Sequence, residues 1–66
     1  MSTVKVIELM SESEKSWEDA AQMAIDKASK TLHDIKSIYI QEMEAKVEGN
    51  KIVSYRINAK ISFLLN

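Results

Sequence analysis

The chain has no cysteine and no proline, and glycine and histidine occur once each. Without cysteine there is no disulfide and no thiolate metal site, and a single histidine, His33, excludes a His-rich zinc site. No apolar run approaches the ~20 residues of a membrane span, and no signal peptide opens the chain. Neither sign of charge is in excess: nine basic and ten acidic residues leave a net charge of −1. They are mixed along the chain, so no basic stripe exists, and nucleic acid is excluded as the main partner. Repeats, linkers and low-complexity segments are absent too. These absences describe a single domain over residues 1–66, expected to be cytoplasmic and without a membrane partner. A domain this small buries only about 60 % of its unfolded surface and is marginal alone. With disulfides and thiolate or His-rich metal sites excluded, oligomerisation is the remedy left.

What the chain does have is one amphipathic helix, expected from roughly Ser16 to Leu32. Trp17, Ala20, Ala21, Ala24, Ile25, Ala28 and Leu32 recur at spacings of three and four and form one stripe. Ser16 is placed to cap the first turn, with Asp19 reaching back as a short capping-box acid. Glu18 and Asp19 suit the positive end of the helix dipole; Lys27 and Lys30 suit the other. Four alanines on the buried stripe let a sheet approach the helix axis closely.

The remainder reads as strand. Val4 to Met10 is rich in β-branched and apolar residues, with Val4 and Val6 on one phase and Ile7 and Leu9 on the other. Ser11 to Lys15 is polar and reads as the loop into the helix. Ser37 to Val47 is a second strand whose apolar residues change parity, from Ile38 and Ile40 to Met43, Ala45 and Val47. A pleated strand cannot change faces without an extra residue, so a β-bulge is expected near Gln41 or Glu42. Gly49 and Asn50 form a turn. Lys51 to Leu65 is a long third strand with Val53, Tyr55, Ile57, Ala59, Ile61, Phe63 and Leu65 on one face. Ser54, Arg56, Asn58, Lys60 and Ser62 occupy the other.

These elements define an α+β fold: β-α-β-β, with a three-stranded antiparallel sheet of order 1-3-2 wrapped round one helix. A 15-residue strand spans about 50 Å at ~3.3 Å per residue. A 17-residue helix spans only about 25 Å at ~1.5 Å per residue. The helix cannot cover the whole hairpin, so the remaining apolar surface calls for another subunit.

Four blocks, K-V-I-E-L (Lys5 to Leu9), S-W-E-D-A-A (Ser16 to Ala21), A-S-K-T-L (Ala28 to Leu32) and Y-R-I-N-A-K-I-S-F (Tyr55 to Phe63), resemble the dodecin family in order and spacing across nearly the whole chain. The resemblance implies a hollow homododecamer of cubic symmetry, built of trimers and dimers. It also implies a binding protein and not an enzyme. Many members hold riboflavin or related flavins, such as FMN, at two-fold contacts. The chain departs from the family pattern at that site. Ser37 stands where flavin-binding members carry a stacking tryptophan, and Arg56 stands where they carry a glutamine. Each lost ring stack removes about 1–3 kcal/mol. Flavin is therefore a doubtful ligand, and the chain is closer to a flavin-poor branch that includes calcium dodecins, which makes calcium a possible ion.

Ser37, Tyr39 and Arg56 are thus the candidate ligand-binding residues, all on the non-core face of the sheet. Tyr39 offers a poorer ring platform, and Arg56 can stack or bind an anion. The plainer reading of Ser37 and Tyr39 is interface filler, and that of Arg56 is a salt-bridged interface arginine. Trp17 reads as core or interface packing, and His33 as a partner of the helix dipole. Glu12, Glu14, Glu18 and Asp19 gather near the helix start; their spacing matches no calcium loop, so the metal ligands stay unassigned. No nucleophile–base pair, Gly-rich phosphate loop or paired-carboxylate arrangement stands out. The two competing functions are a shell that binds a small ligand or ions at symmetric sites, and a purely structural homo-oligomer with closed pockets. A flavin-storage protein using Tyr39 or another aromatic is a variant of the first.

Overall fold

A computed structural model describes residues 3–65. Four elements follow in the order β1 (Thr3–Ser13), α1 (Trp17–Ala28), β2 (Ile35–Glu48) and β3 (Lys51–Leu65). Both β1 and β2 pair antiparallel with β3, giving the sheet order β1-β3-β2 that the hairpin turn and the helix crossover predict.

α1 begins where the sequence places it. Ser16 is extended and its Oγ accepts from the Asp19 N–H at 2.9 Å, satisfying one free donor of the first turn. The Asp19 carboxylate differs from expectation. It reaches not back to Ser16 but across to the Ser13 hydroxyl, which donates to Oδ2 at 2.6 Å. That contact also explains why β1 runs on through Ser13 instead of stopping at Met10. Ser13 lies on the core-facing phase and is only 6 % exposed, yet its hydroxyl donates to Asp19 and accepts from the Lys15 N–H. A buried hydroxyl with both roles filled carries little desolvation penalty.

The helix ends at Ala28, four residues before the expected Leu32. Ser29 caps it, and its hydroxyl donates to the Asp26 carbonyl at 2.8 Å. Such local side-chain bonds compete with helix propagation. The chain then tightens into i→i−3 bonds from Lys30 to Lys27 and from Thr31 to Ala28. His33 stands beyond this turn, exposed, and so does not sit at the helix end as expected. Asp34 turns the chain with a left-handed φ of 57°, and its carbonyl accepts from the Leu64 N–H at 3.1 Å, tying the connection to β3.

Helix and sheet meet through small residues. Ala20 from α1 is buried against Ile57 and Ala59 of β3, with Leu9, Trp17, Ala21, Ile38 and Ile40 packed around them, and Ala24 and Ile61 are buried as well. Each large aliphatic side chain so buried contributes about 1.5–3 kcal/mol. β2 carries the expected bulge: the register passes from Ile40↔Ala59 to Glu42↔Asn58, leaving Gln41 as the extra residue. Two further irregularities step over Lys36 and Val53. At the turn both Gly49 (φ 58°) and Asn50 (φ 62°) are left-handed, the type I′ geometry whose twist matches a two-residue hairpin. The hairpin overhangs the helix, and Val47, Ile52 and Val53 remain exposed there.

Candidate functional site

The face of the sheet away from α1 is built row by row from the register. Starting at the chain termini, one row is Val6, Ser62 and Ser37, and the next is Glu8, Lys60 and Tyr39. Then come Met10, Asn58 and Glu42, and then Glu12, Arg56 and Glu44. β3 supplies the middle member of each row, and the Gln41 bulge brings Glu42 and Glu44 onto this face.

All three candidate ligand residues lie here, but one chain does not gather them. Ser37 is opposite Ser62, and Arg56 lies six residues along β3 from Ser62. That separation is about 20 Å at ~3.4 Å per residue. Tyr39, opposite Lys60, is closer but still four residues away along β3, and it is 64 % exposed. The Ser37 and Ser62 hydroxyls hydrogen-bond to each other, which fills the short gap between β2 and β3 at that level.

Arg56 spans the sheet. Its Nε donates to Glu12 Oε1 at 2.7 Å, one terminal nitrogen lies 2.6 Å from the same oxygen, and the other lies 3.4 Å from Glu44 Oε1. The Glu12 hydrogen bond first, and then its negative charge, raise the guanidinium pKa above its ordinary value; Glu44 adds to this. The arginine therefore joins β1, β3 and β2 and has most of its donors committed. Asn58 Nδ2 donates to Glu42 Oε1 at 2.7 Å. Between these pairs lies an open cleft of about 260 Å³, lined by Met10, Glu42, Met43, Glu44, Arg56 and Asn58. Its free polar atoms are mostly acceptors: the second carboxylate oxygens and the Asn58 carbonyl.

Glu42, Glu44 and Asn58 did not figure among the sequence candidates. The parity change at Gln41, carried through to Glu42 and Glu44, was the signal that places them opposite Asn58 and Arg56.

The acidic residues near the helix start separate. Glu12 faces Arg56 on the outer face, and Asp19 faces Ser13 on the inner one. Among the described residues no group of three or more His, Asp or Glu side chains converges as a metal site within one chain. Trp17 packs as expected. Its ring meets Tyr55 edge-on at a centroid distance of 4.9 Å, and its Nε1 donates to the Glu44 carbonyl at 3.0 Å, pinning α1 to β2. No described helix is long and apolar enough to cross a membrane.

The fold has counterparts. A family model described as Dodecin matches residues 3–66. The calcium dodecin of Mycobacterium tuberculosis is 35% identical over 63 residues, covering 96% of this chain and 89% of that protein. Its crystal structure, described as a calcium-chelating antigen with a novel calcium-binding site, superposes with a TM-score of 0.82 at 31% identity, over 97% of this chain and 91% of that one. An arginine-to-alanine mutant of the Thermus thermophilus dodecin gives a TM-score of 0.93 at 26% identity, over 100% and 98% of the two chains. The chain belongs to the dodecin family.

Proposed function

We propose that the chain is the subunit of a non-enzymatic, cytoplasmic homododecameric shell that holds a small ligand or ions at symmetric sites on the outer sheet face, with weak or no flavin binding. The observation that carries this reading is the state of the two positions where flavin would be engaged. Ser37 offers no ring and is bonded to Ser62. Arg56 is committed to Glu12 and Glu44. A guanidinium has donors but no acceptor, so it cannot satisfy a flavin N–H as a glutamine amide does. Assembly is supported by the overhanging hairpin with its exposed Val47, Ile52 and Val53. Calcium is the ion to test first, because the Mycobacterium tuberculosis relative is a calcium dodecin.

Riboflavin fluorescence tests the flavin part. Losing one or two ring stacks at about 1–3 kcal/mol each weakens affinity by one to a few powers of ten. The unmodified protein should quench riboflavin poorly. Ser37→Trp should restore part of the quenching, and Ser37→Trp with Arg56→Gln should restore more. Tight quenching by the unmodified protein would overturn the reading and turn attention to Tyr39 as the ring platform. Calorimetry with calcium, set against magnesium, tests the ion part: neither binding heat nor a change in melting temperature would count against it.

A further inference from the structure

Arg56 stands on the central strand with an acid in register on either side, Glu12 on β1 and Glu44 on β2. The two acids are not engaged alike. Nε of Arg56 donates to Glu12 Oε1 at 2.7 Å and a terminal nitrogen lies 2.6 Å from the same oxygen, whereas the one approach to Glu44 is 3.4 Å. Charge-assisted bonds run at about 2.7–2.9 Å, so the pair with β1 is made and the pair with β2 is loose. The β2 side is left with surplus negative charge. Glu42 accepts from the neutral Asn58 amide, and among the described residues it joins no ion pair. Glu42 and Glu44 both line the open cleft beside Arg56, and Glu12 does not. Glu12 lines the smaller hollow on the hairpin side of the arginine, with Glu44, Ala45, Lys46 and Ser54.

A long, exposed guanidinium settles where its charge and its fork of donors are best met. With Glu12 present that place is toward β1, and two carboxylates face the cleft against a cation drawn away from them. Without Glu12 the nearest acid is Glu44, and Arg56 moving onto it neutralises the cleft wall. The acid that does not line the cleft therefore decides the charge the cleft presents. We propose that Glu12 is a positioning residue: by drawing Arg56 toward β1 it leaves Glu42 and Glu44 free to attract a positive charge, and so sets the outer-face site to take cations and refuse anions. This role presupposes the reading that the outer face holds ions, and it names the sign of their charge and the residue that fixes it. Among the described residues no third acid converges on the pair, so a calcium ion, which takes about six to eight oxygens, keeps part of its water shell there.

Calcium calorimetry on a cycle of variants tests it, in about 0.15 M salt so that charges beyond roughly 8 Å are screened. Glu12→Gln should weaken calcium binding by about tenfold, because the guanidinium gained by the cleft wall opposes the ion at close range. Arg56→Gln should bind calcium at least as tightly as the parent. In the Arg56→Gln background, adding Glu12→Gln should change the affinity little, since no guanidinium is left to position. An equal loss in both backgrounds overturns the proposal and makes Glu12 a direct ligand. Parental affinity in Glu12→Gln also overturns it while leaving the ion site intact, and so does a parent that binds inorganic phosphate more tightly than calcium. No calcium heat in the parent or any variant overturns the positioning role together with the ion reading. Circular dichroism spectra that match the parent's show that the fold is kept throughout.

Discussion

Ser13 shows how a single residue decides where an element ends. It is a polar residue on a core-facing phase, which reads in sequence as the start of a loop. In the fold its hydroxyl is saturated by the Asp19 carboxylate and the Lys15 N–H. Replacing it removes a partner from Asp19 in a partly buried setting. Ser13→Ala should therefore lower stability by about 1–3 kcal/mol, and Asp19→Asn, which keeps an acceptor, by less. Chemical denaturation with an unchanged m-value would measure this; no change in the midpoint for Ser13→Ala would refute the role. Arg56 makes the same point about legibility. Its type and its face were readable from the alternation of β3, but its partners were not. Glu12 and Glu44 are 44 and 12 positions away, and only the register of both neighbouring strands brings them beside it.

At the scale of elements, period and parity carried most of the information. The limits of β3 and the Gln41 bulge follow from apolar spacing, the start of α1 from the Ser16 cap, and the sheet order from the Gly49–Asn50 turn and the helix crossover. What spacing did not show was where polar side chains are satisfied locally. The Ser29 hydroxyl on the Asp26 carbonyl stops the helix before Leu32, and the Ser13–Asp19 pair extends β1 past Met10. Neither event leaves an apolar signature. The bulge is also an element-scale feature that can be tested directly. Deleting Gln41 removes the extra residue, so Ile40↔Ala59 is followed at once by Glu42↔Asn58 and the alternation becomes regular. Ile38, Ile40, Met43 and Ala45 keep their faces, and Glu42 and Glu44 keep Asn58 and Arg56 as partners. The deletion variant should therefore retain a cooperative thermal transition, as should Gln41→Ala. Loss of the transition in the deletion variant alone would mean that the local bend of the bulge, and not only the facing it gives to Glu42 and Glu44, is required.

The whole molecule is long and thin, 51 Å by 20 Å by 13 Å. α1, with 12 residues, covers about 18 Å of that length at ~1.5 Å per residue. The shortened helix makes the mismatch larger than the sequence alone suggested, and the exposed Val47 (58 %) and Ile52 (51 %) lie in the uncovered part. Apolar side chains on a hairpin that no helix covers are either solvated at a cost or buried by another chain. Light scattering on the parent should give a mass near that of twelve 7.5-kDa chains. The variant Ile52→Asp places a charge on the uncovered hairpin, where burial without a partner is costly. It should reduce the mass to that of a smaller species while leaving the circular dichroism spectrum intact, because Ile52 lies outside the cluster of Ala20, Ile57 and Ala59. Lys51→Asp, one position nearer the turn and also exposed, controls for charge alone and should leave the mass close to the parent's. If Ile52→Asp retains the full mass, the overhang is solvated, and the hairpin is not where the subunits hold one another.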